Sequence, residues 1–123
     1  MRINELMHND WVSNGSHFVR YDVTKMNPKA IVENRETCLI PIRLSRSILE
    51  LNGFVFKNDN YCYLKTKNYI ISFYYLQKFS VSYFGDRFRE ILTIDKDEWN
   101  VHELQQSLRL AGFWDKANKI MVI

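Results

Sequence analysis

The stretch 41–54 places the strongest constraint on how this chain can fold. It reads PIRLSRSILELNGF, a short apolar segment between a helix-starting and a helix-stopping residue. Ser45 is a good N-cap, because its hydroxyl can accept hydrogen bonds from the free backbone amides of a first helical turn. Gly53 is placed to adopt the left-handed conformation that ends a helix. The sequence therefore predicts a helix over about 46–52.

A helix of this length makes only about two turns, which is too short to persist alone in water. It must be held by the packing of Ile48, Leu49 and Leu51 against other elements. We interpret it as a clamp helix between two β-rich parts of the chain. The alternative is a helix that binds a partner directly.

Short strands and tight turns are predicted before the clamp helix. Asn14-Gly15 and Asn27-Pro28 are the turn signals. The first predicted strand includes Trp11-Val12. Three more strands are predicted at 17–23, 30–34 and 37–42. Four short strands separated by tight turns indicate a small curled antiparallel sheet or barrel.

Residues 54–94 predict an antiparallel meander, because consecutive β runs are joined by tight turns. Two of these turns are expected at Gln77-Lys78 and at Gly85-Asp86. The run 79–83 alternates strictly between aromatic or aliphatic residues and serine. This alternation puts its two serines on the outer face of the sheet.

A longer helix is predicted near the end of the chain, over 100–112. Asn100 and Glu103 form a capping-box-like pair, and Gly112 ends the helix. Its apolar residues recur on one face, at Val101, Leu104, Leu108 and Ala111. Residues 119–123 resemble a terminal strand that adds to a sheet edge.

These elements predict an α+β fold within a single compact domain, 1–123, a length that supports one hydrophobic core. Its parts, in order, are a small β-barrel-like unit at 1–44, the clamp helix at 45–53, the antiparallel meander at 54–94, a helix at 100–112 and a terminal strand at 119–123.

Composition narrows the class of protein. The chain has only 4 glycines and 2 prolines, which excludes long flexible linkers. Its net charge of +3 permits an acidic partner or nucleic acid without demanding either. The N-terminus lacks an apolar signal-peptide core, and no stretch has the length of a membrane span. The expectation is a soluble cytoplasmic protein with no membrane partner.

No motif in the sequence predicts catalysis, a metal site or a cofactor. Cys38 and Cys62 are too few for a disulfide framework, and both are expected to be buried thiols. His8, His17 and His102 lack the spacing of a metal site, and there is no glycine-rich phosphate loop. The chain is therefore predicted not to be an enzyme.

Three blocks of the sequence are Glu5–Val12, Ile40–Leu49 with Gly53-Phe54, and Val101–Gln105. Together they resemble a family of small uncharacterised proteins of phages, prophages and other mobile elements of gut bacteria. The family pattern is roughly ELRxGNWV, then IxPIPLTEEIL…GF, then VHELQ. Asn9 stands where the family has glycine, so a positive φ is expected there. The resemblance implies a fold and a genomic setting, and it supplies no catalytic residue.

Two arginines mark where this chain departs from the family pattern. Arg43 replaces a proline, and Arg46 replaces an acidic residue in the first turn of the clamp helix. A basic residue is mildly unfavourable at a helix start, so Arg46 is a candidate for contact with an anionic group. Surface drift accounts for these two residues equally well.

Aromatic and basic residues interleave along the predicted meander, with Tyr74 and Tyr83 as the leading binding candidates. Such a surface can stack bases and track phosphates. Tyrosines are also favoured strand residues, and lysines protect strand edges. Exposed tyrosines are also typical anchors of protein interfaces.

A second group of candidates lies on the predicted C-terminal helix. His102 and Arg109, with Gln105 and Gln106, form a polar stripe. This polar stripe has three interpretations, which are a solvated helix face, a structural histidine and a binding site.

The resemblance implies a non-enzymatic mobile-element protein that acts by binding a host protein, with inhibition of host defence as one form of that role. The first alternative is a nucleic-acid-binding module that uses a basic, tyrosine-rich sheet. The second is capture of a small anionic nucleotide, with Arg43, Arg46 or Arg109 at its phosphates. The sequence leaves the oligomeric state open, including a homodimer.

Overall fold

The chain forms two compact units, and each unit is built from two separate stretches of the sequence. The structure, a computed structural model, describes residues 1–85 and 87–123. The first unit comprises Met1–Arg43 and Asn100–Val122, and the second comprises Leu44–Trp99 with Ile123. The C-terminal helix thus belongs to the same unit as the N-terminal strands, which the predicted order of parts did not anticipate.

The described elements make an α+β fold with two antiparallel sheets. The helices are α1 (Pro28–Val32), α2 (Arg46–Leu51), α3 (Val101–Leu110) and α4 (Trp114–Asn118). The strands are β1 (Trp11–Ser13), β2 (Phe18–Arg20), β3 (Ile40–Pro41), β4 (Val55–Asn58), β5 (Tyr61–Lys65), β6 (Tyr69–Tyr74), β7 (Lys78–Phe84) and β8 (Phe88–Asp95). None of the described helices has the length and apolar character that crossing a membrane requires.

The clamp helix is confirmed as α2, and its ends follow the predicted chemistry. The Ser45 hydroxyl accepts from the Ile48 amide at 3.3 Å. Gly53 has φ of 90°, and the Phe54 amide donates to the Leu49 carbonyl at 3.0 Å. This is the Schellman ending, in which the glycine takes the left-handed conformation that other residues disfavour.

The packing of α2 differs from the prediction at one position. Leu49 is fully buried and Ile48 is half-buried, whereas Leu51 is exposed. The helix lies in the second unit, whose core also buries Leu44 and Phe54. Its role as a clamp between β parts stays a prediction.

The predicted meander is confirmed as a five-stranded sheet in the order β4-β5-β6-β7-β8, with every neighbouring pair antiparallel. Aromatic rings fill the covered face of this sheet. Phe73 lies 5.3 Å from both the Phe79 and the Trp99 ring centroids, and all three side chains are fully buried. The turn predicted at Gly85-Asp86 includes Asp86, which lies outside the described residues.

The β6–β7 turn is two residues earlier than predicted. Lys78 pairs with Tyr74 in the sheet, so Gln77-Lys78 cannot form the turn. Its central residues are Tyr75 and Leu76, with φ of 56° and 53°, and the Gln77 amide donates to the Tyr74 carbonyl at 2.9 Å. Two positive φ values define a type I′ turn, which favours Asn-Gly and not two large side chains.

Hydrogen bonds from outside the turn hold it in this conformation. The Tyr75 amide donates to the Asn60 carbonyl at 2.7 Å. The Gln77 carbonyl accepts from the Lys96 amide at 3.0 Å and from the Trp99 indole at 2.8 Å. Strained backbone of this kind persists only where the surrounding structure fixes it.

Relief of this backbone strain should stabilise the protein. Tyr75→Asn is expected to raise the free energy of unfolding by about 1 kcal/mol, because asparagine tolerates the left-handed region and Tyr75 loses little buried area. Thermal unfolding measures the change. Tyr74→Asn is the matched control and should be destabilising, because Tyr74 has strand geometry. Equal effects of the two substitutions would contradict the strained turn.

The first unit contains an open sheet in the order β2-β1-β3. Val12 on β1 is fully buried against Leu6 and Tyr21. The three strands do not close into a barrel in the described residues, so the barrel-like detail of the prediction is not confirmed. Of the predicted strands, 17–23 and 37–42 are shorter, forming only β2 and β3.

The strand predicted at 30–34 is wrong, because α1 occupies this region. The Asn27 side chain accepts from the Lys29 amide at 2.9 Å, and Pro28 takes the first helical position. Asparagine at the N-cap followed by proline is a helix start as well as a turn signal. The prediction treated Asn27-Pro28 only as a turn signal.

The helix α3 is confirmed, but the terminal strand at 119–123 is wrong. Glu103 accepts from the Asn100 amide at 2.9 Å, and Gly112 ends the helix with φ of 92°. The chain then forms α4, and no strand follows it. The Ile120 carbonyl instead accepts from the Trp11 indole at 2.6 Å, so a side chain takes the place of a strand partner.

Candidate binding surface

One face of the five-stranded sheet combines tyrosines, serines and charged residues. The register places these side chains on the side of the sheet opposite Phe73 and Phe79, because successive residues of a strand alternate between faces. We name it the tyrosine face, and it consists of Val55, Asn58, Tyr61, Tyr63, Lys65, Ile70, Ser72, Tyr74, Lys78, Ser80, Ser82, Phe84, Phe88, Glu90, Thr93 and Asp95.

Tyrosine rings contact one another across β5 and β6. Tyr61 and Tyr74 are directly opposed in the register, and their ring centroids are 4.6 Å apart. Tyr63 lies 6.0 Å from Tyr61 in a stacked arrangement. Tyr74 is 45% exposed and Tyr75, in the adjoining turn, is 66% exposed. Tyr61 therefore orders the Tyr63 and Tyr74 rings, and Tyr74 stays available to a partner.

Three serines form the floor of a groove beside these rings. Ser72 is opposite Ser80, and Ser82 follows on β7. The groove has a volume of about 270 Å³, and Tyr61 and Tyr74 are among the side chains that line it. The strict alternation correctly put Ser80 and Ser82 on the same face, but both are buried by their neighbours.

The Glu90 carboxylate has a fixed orientation at this groove. The hydroxyls of Thr93 and Ser80 both donate to Glu90 Oε1, the latter at 3.0 Å. These hydrogen bonds, with the larger effect from Thr93, hold the pKa of Glu90 below its ordinary value of 4.5. Glu90 therefore carries a negative charge at neutral pH.

Opposite charges are balanced on the tyrosine face. Lys78 also lines the groove, and it lies directly across the sheet from Asp95. Together with Glu90 and Lys65, the face carries two positive and two negative residues. The formal charges of these four side chains therefore sum to zero.

The Glu90 hydrogen bonds predict a pH effect on stability. Because folding lowers the pKa of Glu90, its contribution is present above the unfolded value near 4.5 and is lost as the pH falls through the folded value. Denaturant unfolding between about pH 6 and pH 3 measures this decrease in the free energy of unfolding. The decrease should be smaller in Glu90→Gln than in wild type. Asp59→Asn is the control, because the Asp59 side chain is 96% exposed. It should leave the decrease with falling pH unchanged. Parallel curves for wild type and Glu90→Gln would contradict the assignment.

Tyr83 does not join Tyr74 on the tyrosine face. The alternation of β7 puts Tyr83 on the side of Phe79. Its ring lies 5.4 Å from Tyr69, and the Arg89 guanidinium is 5.8 Å from the Tyr83 ring centroid. The two tyrosine candidates are therefore on opposite faces of one sheet.

Arg46 has partners within its own unit. Its side chain contacts Glu50 at 2.8 Å and Asp59 at 3.1 Å, and it lies over the Phe56 ring. The hydrogen bond to Glu50 is the main cause that raises the pKa of Arg46. This explains a basic residue at a helix start without an external anion. Arg43 is exposed, and its backbone forms an isolated bridge with Asn100.

The predicted polar stripe on α3 is not a solvated face. His102, Gln105 and Arg109 are all buried in the first unit. Arg109 Nη1 lies 2.6 Å from Asp10 Oδ1, and Arg109 Nη2 donates to the His8 carbonyl at 3.2 Å. The solvated interpretation is wrong because residues 5–11 cover this side of the helix.

Gln105 links α3 to three other backbone groups. Its Oε1 accepts from the Trp11 amide at 2.7 Å, while its Nε2 donates to the Asn9 and Ala117 carbonyls at 3.0 and 3.1 Å. Asn9 has φ of 71°, which confirms the positive φ expected there. Asp10 was not among the predicted site residues, because no periodic pattern marks a buried carboxylate.

The two cysteines differ in their surroundings. Cys62 is buried as predicted, and burial raises its pKa to about 11. Cys38 is exposed, so the prediction of a buried thiol is wrong for this residue. No group of histidine, cysteine or acidic residues in the described part of the chain could hold a metal ion.

Comparison with protein-family models, with curated proteins and with solved structures gives no match to this chain in any of the three.

Proposed function

We propose that this chain is a non-enzymatic binding protein that recognises another protein through the tyrosine face. The observation that carries this proposal is Tyr74, which is 45% exposed and lines a groove with balanced charges. Tyr75, in the adjoining turn, adds a second exposed tyrosine next to it in the chain. Tyrosine is enriched among the residues that dominate protein interfaces. Because Tyr74 also packs against Tyr61, little side-chain freedom remains to be lost on binding.

We further propose that the partner is a host protein in the cytoplasm of a bacterium, and that inhibition of host defence is one form of this role. The resemblance of three blocks to the mobile-element family supports this setting. It is a separate proposal from the binding surface, and the identity of the captured protein tests it.

Affinity capture from bacterial lysate tests the role of the surface. Tyr74→Ser combined with Tyr75→Ser should weaken retention of a captured protein at least tenfold, as expected for anchor residues. Leu110→Ser is the matched control, since Leu110 is a 71% exposed apolar residue of the first unit. Retention that depends on Leu110 and not on the tyrosines would overturn the proposal.

Nucleic-acid binding is the second candidate, favoured by the Tyr61–Tyr74 pair with Lys65 and Lys78 on the same face. It predicts retention on single-stranded oligonucleotides that falls steeply as salt rises. The presence of Glu90 on this face favours the protein partner. No retention at low salt would remove this candidate.

Capture of a small anionic nucleotide has less support. Arg46 and Arg109 both contact carboxylates, and they belong to different units. Thermal stability across a nucleotide panel tests this candidate, since a ligand of the folded state raises the unfolding temperature.

A further inference from the structure

We propose that the serine-floored groove of the tyrosine face receives a single arginine side chain from the partner protein. This inference rests on the proposed function and deepens it by naming the chemistry that the groove recognises. Size, aromatic surface and charge each contribute to the assignment.

The size of the groove favours one side chain over a whole small molecule. Its volume is about 270 Å³. Sites for drug-sized ligands and cofactors occupy roughly 300–1,000 Å³. The groove lies just below this range, and its volume suits one long side chain.

Aromatic rings at the groove suit a planar cation. Tyr61 and Tyr74 both line it, with ring centroids 4.6 Å apart. A guanidinium group is attracted to the face of an aromatic ring and stacks on it. The ammonium group of lysine gains the same attraction without the planar stacking.

Hydrogen-bonding groups at the groove match the donors of arginine. Glu90 supplies a carboxylate that Ser80 and Thr93 already orient. Ser72 and Ser82 form no side-chain hydrogen bond with the described residues, and both line the groove. A guanidinium group brings five N–H donors and no acceptor, so carboxylate and hydroxyl oxygens are its natural partners.

Lys78 distinguishes a bound cation from a bound anion, because removing its charge changes the affinity in opposite directions for the two. Lys78 and Glu90 line the same groove. The lysine must repel a bound cation and attract a bound anion. Removal of the lysine charge should therefore strengthen arginine binding, whereas removal of the glutamate charge should weaken it.

Titration of the full chain with N-acetylarginine amide, followed by NMR chemical shifts, tests the proposal. Saturable shifts are expected at Tyr61, Tyr74 and Ser82. N-acetylcitrulline amide, which has nearly the same shape without the charge, should bind at least tenfold more weakly. No saturation with the arginine compound, or equal binding of both compounds, would overturn the inference.

Two charge variants complete this test. Glu90→Gln should weaken arginine binding at least fivefold, and Lys78→Ala should strengthen it. Both residues are exposed, and an unchanged amide spectrum verifies the fold of each variant. The opposite pattern, with uridine monophosphate bound and Lys78 required, would show that the groove takes an anion.

The two proposals can fail separately. If the arginine compound does not bind but lysate capture still requires Tyr74 and Tyr75, only the arginine assignment falls. If the arginine compound binds and capture is independent of the tyrosines, the groove chemistry stands and the proposed protein-binding surface falls.

Discussion

Asp10→Ala will lower the free energy of unfolding by about 3–5 kcal/mol, which is a large fraction of the stability of an ordinary domain. The side chains of Asp10 and Arg109 are 0% and 2% exposed, and their charged atoms are 2.6 Å apart. Removal of the carboxylate leaves the guanidinium buried without its counter-charge. Urea denaturation followed by circular dichroism measures the loss.

Asp59→Ala is the matched control for this prediction. It also removes an aspartate that contacts an arginine, Arg46 at 3.1 Å, but the Asp59 side chain is 96% exposed. An exposed ion pair contributes about 0–1 kcal/mol, so the effect should be small. Combining Asp10→Ala with Arg109→Met should restore part of the stability, because no unpaired charge stays buried. Similar losses for Asp10→Ala and Asp59→Ala would contradict the buried pair.

Trp99→Ala is expected to lower the free energy of unfolding by about 3–5 kcal/mol. Trp99 is 1% exposed, and its ring lies 5.3 Å from Phe73 and 5.6 Å from Phe79. The substitution leaves a cavity in the aromatic core of the second unit. It also removes the indole donor that holds the Gln77 carbonyl at the strained turn.

Trp114→Ala separates this effect from the general loss of a tryptophan. Trp114 is 53% exposed, so its removal should change the free energy of unfolding by about 1 kcal/mol or less. Chemical denaturation of both variants provides the comparison. If Trp114→Ala were as damaging as Trp99→Ala, the aromatic cluster would not be the centre of this core.

Local sequence rules accounted for the elements whose ends are set by neighbouring residues. Ser45 and Gly53 define α2, and Asn100 and Gly112 define α3, since caps act within one helical turn. The meander was also predictable, because each strand pairs with the next along the chain. The alternation at 79–83 was sufficient to place two groove serines on one face.

Other features depended on contacts between distant segments. The polar residues of α3 carry no local sign that residues 5–11 cover them, so a solvated face stayed one of three open interpretations for Gln105 and Arg109. The strand predicted at 119–123 had the right composition, but it pairs with neither sheet in the described residues. Asn27-Pro28 was ambiguous, because the same pair starts a turn or a helix.

The candidate surface was only partly predictable. Tyr74 and the excess of tyrosines were evident from the sequence, whereas Tyr83 was named as a binding candidate although the alternation at 79–83 already put it on the face opposite the two serines. Glu90 and Ser72 reach the groove only through the register of neighbouring strands. A β-bulge between Val81 and Ser82 sets which β8 residues lie on this face, and no periodic pattern marks it.

Site-specific photo-crosslinking tests the central claim most directly. A benzophenone side chain at position 74, on the tyrosine face, should crosslink to the captured protein. The same group at position 110, an exposed site of the first unit, should not. Crosslinking at 74 alone is the predicted result, and crosslinking at 110 with none at 74 would contradict the tyrosine face as the recognition surface.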